Sequence, residues 1–224
     1  KYGRGATYGL YDAAQKGKVR TVRALVTEQG VDVHVLNKDG RTPLHAASNK
    51  GHDKAVRVLC DLGSDVDAKD KDGRTPLHCA ADKNHCEAAL VLVEQGADVH
   101  AQNADGRTPL YEASDKGHLE AVQLLLTHGA DMNATSRDGR SPLHCAADKG
   151  HVEVVRTLAV HQADVMALTN DGRTPLHYAA ISGHVPVVKE LVELGADVNA
   201  MNKDGYVPLH CAAERGHVEA CVAL

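Results

Sequence analysis

The sequence contains no tryptophan and no phenylalanine, and only six tyrosines among 224 residues. Large aromatic anchors dominate many binding hot spots, so a partner of this chain has to be held by polar contacts and tyrosine. Positive charge is not in excess either. Lysine and arginine number 25 against 30 acidic residues, a net charge of -5, which argues against a phosphate-binding footprint and against a nucleic-acid partner. No run of 18 apolar residues occurs, so no membrane insertion by a spanning helix is expected. The first ten residues, KYGRGATYGL, hold no apolar signal core.

Catalytic and metal signatures are also missing. There is no GxSxG, no glycine-rich phosphate loop, no HExxH and no paired CxxC. The expectation is a protein that is not an enzyme, with no cofactor and no metal. Six cysteines are present, but Cys79, Cys145 and Cys211 recur at one position two modules apart. Modules stacked at about 8–10 Å would hold these thiols far beyond disulfide reach. Free thiols point to a reducing compartment, hence an intracellular protein of cytoplasm or nucleus.

What the chain does have is a period. Asp-Gly recurs at one constant spacing, at Asp39-Gly40, Asp72-Gly73, Asp105-Gly106, Asp138-Gly139, Asp171-Gly172 and Asp204-Gly205. Such self-similarity marks stacked copies of one supersecondary unit, none able to bury its apolar face alone. Boundaries fall before each Asp-Gly. They give an irregular repeat 1–38, in which Leu10-Tyr11 replaces the Pro-Leu-His core, then 39–71, 72–104, 105–137, 138–170, 171–203 and a shortened 204–224. Residues 1–224 are read as a single domain. Lys1 at the start and Leu224 inside a helical pattern suggest a piece of something longer.

Each copy repeats the same physical grammar. In residues 72–104, Asp72-Gly73 is a turn, with glycine supplying positive φ. Thr75 stands as helix N-cap and Pro76 at the first helical position, where its missing N–H costs nothing. Leu77 points inward, and His78 is placed to hydrogen-bond the Thr75 hydroxyl. Ala80 and Ala81 keep the first helix slim. The chain turns near Asn84-His85, a second helix runs to about Val93, and Gly96 ends it. Gln162 breaks the glycine-stop series Gly30, Gly63, Gly96, Gly129 and Gly195, and is expected to weaken that helix end. Eleven of fifteen histidines fall in the two structural slots typified by His78 and His85, which favours a structural reading over a metal one.

Period 33, Thr-Pro-Leu-His-x-Ala, Gly-His, and Gly195 to Ala200 (Gly-Ala-Asp-Val-Asn-Ala) together resemble the ankyrin repeat family. The resemblance covers nearly all of the chain beyond the first nine residues. It implies an all-α repeat solenoid of about seven repeats, with paired antiparallel helices and β-hairpin fingers. It also implies protein–protein interaction through a concave face of fingers and first helices, in a monomeric array.

The informative positions are those where one copy departs from the others. A first-helix slot read as exposed holds Ala46, Cys79, Glu112, Cys145, Tyr178 and Cys211, and Tyr111 replaces the capping histidine beside Glu112. Ile181 stands where Asn49, Asp82, Asp115, Asp148 and Glu214 otherwise occur, and Tyr206 replaces the finger arginine. Finger bases such as Arg41, Arg74 and Arg107 each follow an Asp-Gly, which is expected to neutralise the row through exposed pairs. The candidate partner-binding set is Arg107, Glu112, Arg140, Arg173, Tyr178, Ile181 and Tyr206. Two alternatives stay open: a regulatory or targeting arm of a larger effector, channel or enzyme, and a substrate array. For the second, Asn133 and Asn199 resemble the asparagines that ankyrin proteins present to asparaginyl hydroxylases. An engineered array would also fit the even spacing, although Cys86, Ala88, Gln162 and Met166 look evolved.

Overall fold

A computed structural model describes residues 4–224, with side chains from Gly9 onward. The described residues form fourteen α-helices and divide into two compact units, one ending at Ala104 and one beginning at Asp105. The first unit holds α1 (Arg4–Gln15), α2 (Val19–Thr27), α3 (Pro43–Asn49), α4 (Asp53–Asp61), α5 (Pro76–Asp82) and α6 (Cys86–Glu94). The second holds α7 (Pro109–Lys116), α8 (Leu119–Thr127), α9 (Pro142–Lys149), α10 (Val152–Val160), α11 (Pro175–Ser182), α12 (Val185–Glu193), α13 (Pro208–Glu214) and α14 (Val218–Ala223).

Nearly all of these helices have six to nine residues, too short to be stable in isolation, so packing must hold them. In each unit, first helices pack on first helices and second on second: α3 on α5 and α4 on α6, then α9 on α11 and α10 on α12. Within each unit a leucine from most helices is buried between neighbours. Leu44, Leu77, Leu110, Leu143 and Leu176 of the first helices are fully buried, as are Leu59, Leu92, Leu125, Leu158 and Leu191 of the second. Each such burial contributes about 1.5–3 kcal/mol.

The Thr-Pro-Leu-His motif is a hydrogen-bonded lock. His45 Nδ1 accepts the Thr42 backbone N–H at 3.2 Å and lies 2.9 Å from its hydroxyl. The proton must therefore sit on Nε2, which donates to the Arg74 carbonyl of the following finger at 2.9 Å. His144 and His177 make the same forward bonds to the carbonyls of Arg173 (3.1 Å) and Tyr206 (3.0 Å). The second histidine row points backward: His151, His184 and His217 donate through Nε2 to the carbonyls of Asp115, Asp148 and Ile181. Each imidazole lies against the glycine that ends the preceding first helix. A Cβ on Gly150 would meet the His184 ring at 2.8 Å. Two copies break the lock. Tyr111 has no acceptor nitrogen, and Val207 offers no hydroxyl, leaving only a 3.3 Å bond from its N–H to His210.

Among the described residues there is no β-strand, so the fingers are turns rather than the expected β-hairpins. Each has one narrow pair, as between Asp70 N–H and the Arg74 carbonyl (3.0 Å), too little for a ladder. Successive fingers join through backbone bonds, from Lys71 N–H to the Asp39 carbonyl (3.1 Å) and from Asn170 N–H to that of Asp138 (3.1 Å). The Asp-Gly glycine is required twice over at Gly139. Its φ is +82°, and a Cβ would stand 2.7 Å from the Asn170 nitrogen.

The first repeat has a second irregularity besides Leu10-Tyr11. Leu10 takes the buried leucine position, and the extra residue follows α2, where both Glu28 and Gln29 donate to the Ala24 carbonyl. Gln162 keeps the left-handed conformation of the glycine it replaces, at φ +71°, and α10 retains nine residues like α8 and α12. The helix end is thus preserved with a strained backbone, at about 1 kcal/mol for a non-glycine residue.

Candidate functional site

The fingers carry one arginine slot, and in the second unit it holds Arg107, Arg140, Arg173 and then Tyr206. These side chains do not extend freely into solvent. Arg107 and Arg140 lie back over tyrosines of the first helices, and Arg140 and Arg173 are about one-third exposed. The reason lies in the slot expected to be exposed. Cys145, Tyr178 and Cys211 are 1 %, 5 % and 5 % exposed, and Glu112 is 8 % exposed. At Tyr178 the cover is Arg140 of the preceding finger. Tyr178 and Glu112 therefore present little surface of their own.

Arg140 sets the pattern. Its guanidinium carbon lies 4.1 Å from the centre of the Tyr178 ring, which is carried by the next first helix. Asp148, eight residues downstream, reaches Nη1 at 3.5 Å, and Asp138 lies 3.4 Å from Nε. His144 meets the ring edge-on, with centroids 5.7 Å apart. Burial pushes the Arg140 pKa down, but the Tyr178 hydroxyl and the Asp148 charge outweigh it and the net shift is upward. Arg107 lies over Tyr111 at 5.1 Å, and burial raises that phenol well above its usual range. Burial also lowers His144 to about 4, against the opposing bond to the Arg173 carbonyl.

Three predicted site residues do converge. Arg173, Ile181 and Tyr206 line one pocket of about 350 Å³, together with Cys211 and the charged residues Asp204, Glu214 and Arg215. Tyr206 is 42 % exposed, and its ring meets His210 edge-on at 5.7 Å. Arg107 and Glu112 stand on α7 and its finger and do not line this pocket. Asn133 and Asn199 are both exposed. The Asn133 side-chain oxygen accepts the Asp164 N–H at 2.9 Å.

Sequence reading missed the acids that receive the arginines, Asp70, Asp82 and Asp148, and the small floor residue Cys211. The signal was available as constant spacings, from Arg140 to Asp148 on its own first helix and from Arg140 to Tyr178 on the next. Such spacings become meaningful only when finger and helix are known to face each other. Among the described residues, no three His, Cys, Asp or Glu side chains gather as a metal-binding group. No helix there is long and apolar enough to cross a membrane, and all six cysteines are free.

Models of ankyrin repeats in three copies match residues 10–103 and 95–169, and a model of ankyrin repeats in many copies matches 176–224. The chain is similar to the crystal structure of the ankyrin repeat domain of Bcl-3, described as a unique member of the IkappaB protein family. Identity is 32%, coverage 95% of this chain and 96% of that one, and the TM-score 0.82. Protein phosphatase 1 regulatory subunit 12A of Mus musculus is 42% identical over 52 residues, as is that of Rattus norvegicus. That match spans 23% of this chain and only 5% of either subunit.

Proposed function

The chain belongs to the ankyrin repeat family, and on that premise we propose that it binds a protein partner through fingers and first helices of the unit beginning at Asp105. Ankyrin repeats in general mediate protein–protein interaction. The observation that carries the choice of surface is the shared pocket of Arg173, Ile181 and Tyr206. Arginine and tyrosine are residue types enriched at hot spots, and Ile181 and Tyr206 stand where the other repeats carry different residues. The second helices instead present a charged outer surface, as in the Arg156–Glu190 pair at 2.6 Å. Binding proceeds without turnover or cofactor, on a preformed surface that lowers the ordering cost of association. The reading includes an intracellular setting and a monomeric array, either as a scaffold or as the regulatory arm of a larger protein.

The test is capture of partners from lysate of the source cells, read by mass spectrometry. The native chain is run beside an Arg173→Gln/Tyr206→Ala variant and a Lys189→Ala variant on the outer surface. Partners lost only from the first variant support the reading. Equal capture by all three contradicts it. The exposure of Asn133 and Asn199 also favours a second reading, as an asparaginyl hydroxylase substrate. An intact-mass gain of one oxygen on incubation with such an enzyme is the expected result, and an unchanged mass removes the idea.

A further inference from the structure

Within the unit starting at Asp105, two finger arginines are closed by rings of the chain itself. Arg107 has Tyr111 and Arg140 has Tyr178. Arg140 is held in addition by Asp148. Arg173 occupies the same slot with neither partner. On its own first helix, Ile181 stands where Arg140 has Asp148. On the next first helix, Cys211 stands where Arg140 has Tyr178. Among the described residues no ring lies over Arg173, and its ion pair is with Asp171 of its own finger, at 3.1 Å. That pair is made through Nε, which is screened from solvent as it is in Arg74, Arg107 and Arg140. Where Tyr178 lies against Arg140, Arg173 borders a pocket of about 350 Å³.

We infer that this pocket receives an aromatic side chain, tyrosine or phenylalanine, from a partner polypeptide, laid against Arg173 as Tyr178 is laid against Arg140. The molecule supplies the template one repeat earlier. The lining favours a neutral ring over an anion. Arg173 and Arg215 are matched by Asp204 and Glu214, so no net positive charge awaits a carboxylate or phosphate. Ile181, Cys211 and Tyr206 provide apolar and aromatic walls. A planar guanidinium over a ring face adds a cation–π attraction that an aliphatic side chain cannot receive. The Tyr178 ring is taken up by Arg140 and the Tyr206 ring meets His210 edge-on, so the ring that lies over Arg173 comes from the partner. The inference deepens the proposed binding role of this surface and rests on it.

The test uses the 224-residue chain, isotopically labelled at backbone, arginine Nε and isoleucine methyls, titrated with N-acetyl-L-tyrosinamide and, separately, N-acetyl-L-leucinamide. The expected result is a shift of the Arg173 Nε and Ile181 methyl signals by tyrosinamide, with leucinamide about tenfold weaker. Cys211→Tyr places a ring from within, as at Tyr178, and should weaken tyrosinamide binding at least about tenfold. Arg173→Gln should do the same, and it carries the test if Cys211→Tyr fails to fold. Equal responses to the two probes, responses unchanged in both variants, or no response up to the solubility limit would each overturn the inference. If the titration fails while partner capture still depends on Arg173 and Tyr206, only the aromatic occupant is lost. If capture is indifferent to this surface, the broader reading is lost, and the titration decides the pocket independently.

Discussion

The finger arginines of the two units start from the same dipeptide and end on different chemistry. In the unit ending at Ala104 they are seated on carboxylates. Arg41 Nε lies 3.0 Å from Asp70, whose side chain is 1 % exposed, and Arg74 lies 3.6 Å from Asp82. In the unit beginning at Asp105, Arg107 and Arg140 lie over tyrosine rings, Arg140 keeping Asp148 at 3.5 Å as well, and the ion pair of Arg173 stays within its own finger. Backbone and period are the same in both. The difference comes from which side chains stand at three downstream places: the same first helix, the next finger and the next first helix. A repeat frame fixes where an arginine is held, and those neighbours decide whether it is closed or available.

Acid should erase that contrast with the largest effect, because the histidine locks occur in both units. Burial holds His45, His144 and His177 below 6.5 in the folded state, with His144 at about 4. The unfolded chain then binds more protons than the folded one between about pH 6.5 and 4. Stability is fully present above the unfolded value, falls as pH drops through this window, and levels off below the folded value. At about 1.4 kcal/mol per pH unit, His144 alone accounts for roughly 3 kcal/mol. Thermal melts from pH 7.5 to 4 should show a falling Tm, and His144→Gln should flatten the slope.

Next in size is the ring itself. Tyr178→Ala removes a buried side chain from beneath Arg140 and should cost about 3 kcal/mol in urea titrations. Cys79→Ala at the same slot of the other unit removes one small group and should cost about 1 kcal/mol. Equal losses would mean that the aromatic seat contributes nothing particular. The carboxylate seat is tested by Asp70→Ala, expected to cost about 2 kcal/mol, since Arg41 and the Asp72 and Arg74 amides lose their acceptor. Asp70→Asn should recover most of that loss, because Asn37 and Asn202 accept the equivalent amides in their own fingers.

These contrasts also show what the sequence made readable. Helix starts, inter-helix turns and stops followed from local chemistry: a hydroxyl three residues before an imidazole, a proline at the first helical position, a glycine at positive φ. The Thr75–His78 contact at 2.9 Å and the end of α6 at Glu94 agree with that reading. Burial of the Tyr178 slot was not readable, because what covers it is Arg140, an arginine of the preceding repeat's finger and remote in sequence. The absence of strands was equally hidden, since two residues of pairing make a turn and not a ladder. Of the predicted contact residues, Arg173, Ile181 and Tyr206 converge, while Tyr178 serves inside the structure as the template for what Arg173 lacks.

The smallest effect concerns the helix stop. Gln162→Gly should raise stability by about 1 kcal/mol by relieving the left-handed strain. Asn84→Gly should gain less, since asparagine tolerates that conformation better. Both are measured by the shift in urea midpoint at constant slope.

The most direct measurement is calorimetric titration of a captured protein partner into the native chain, Arg173→Gln/Tyr206→Ala and Lys189→Ala. Loss of at least about tenfold in affinity for the double variant, with Lys189→Ala unchanged, is the predicted result for a hot spot on the finger and first-helix surface. Identical affinities for all three chains, or an equal loss from Lys189→Ala, would place the binding surface elsewhere and contradict it.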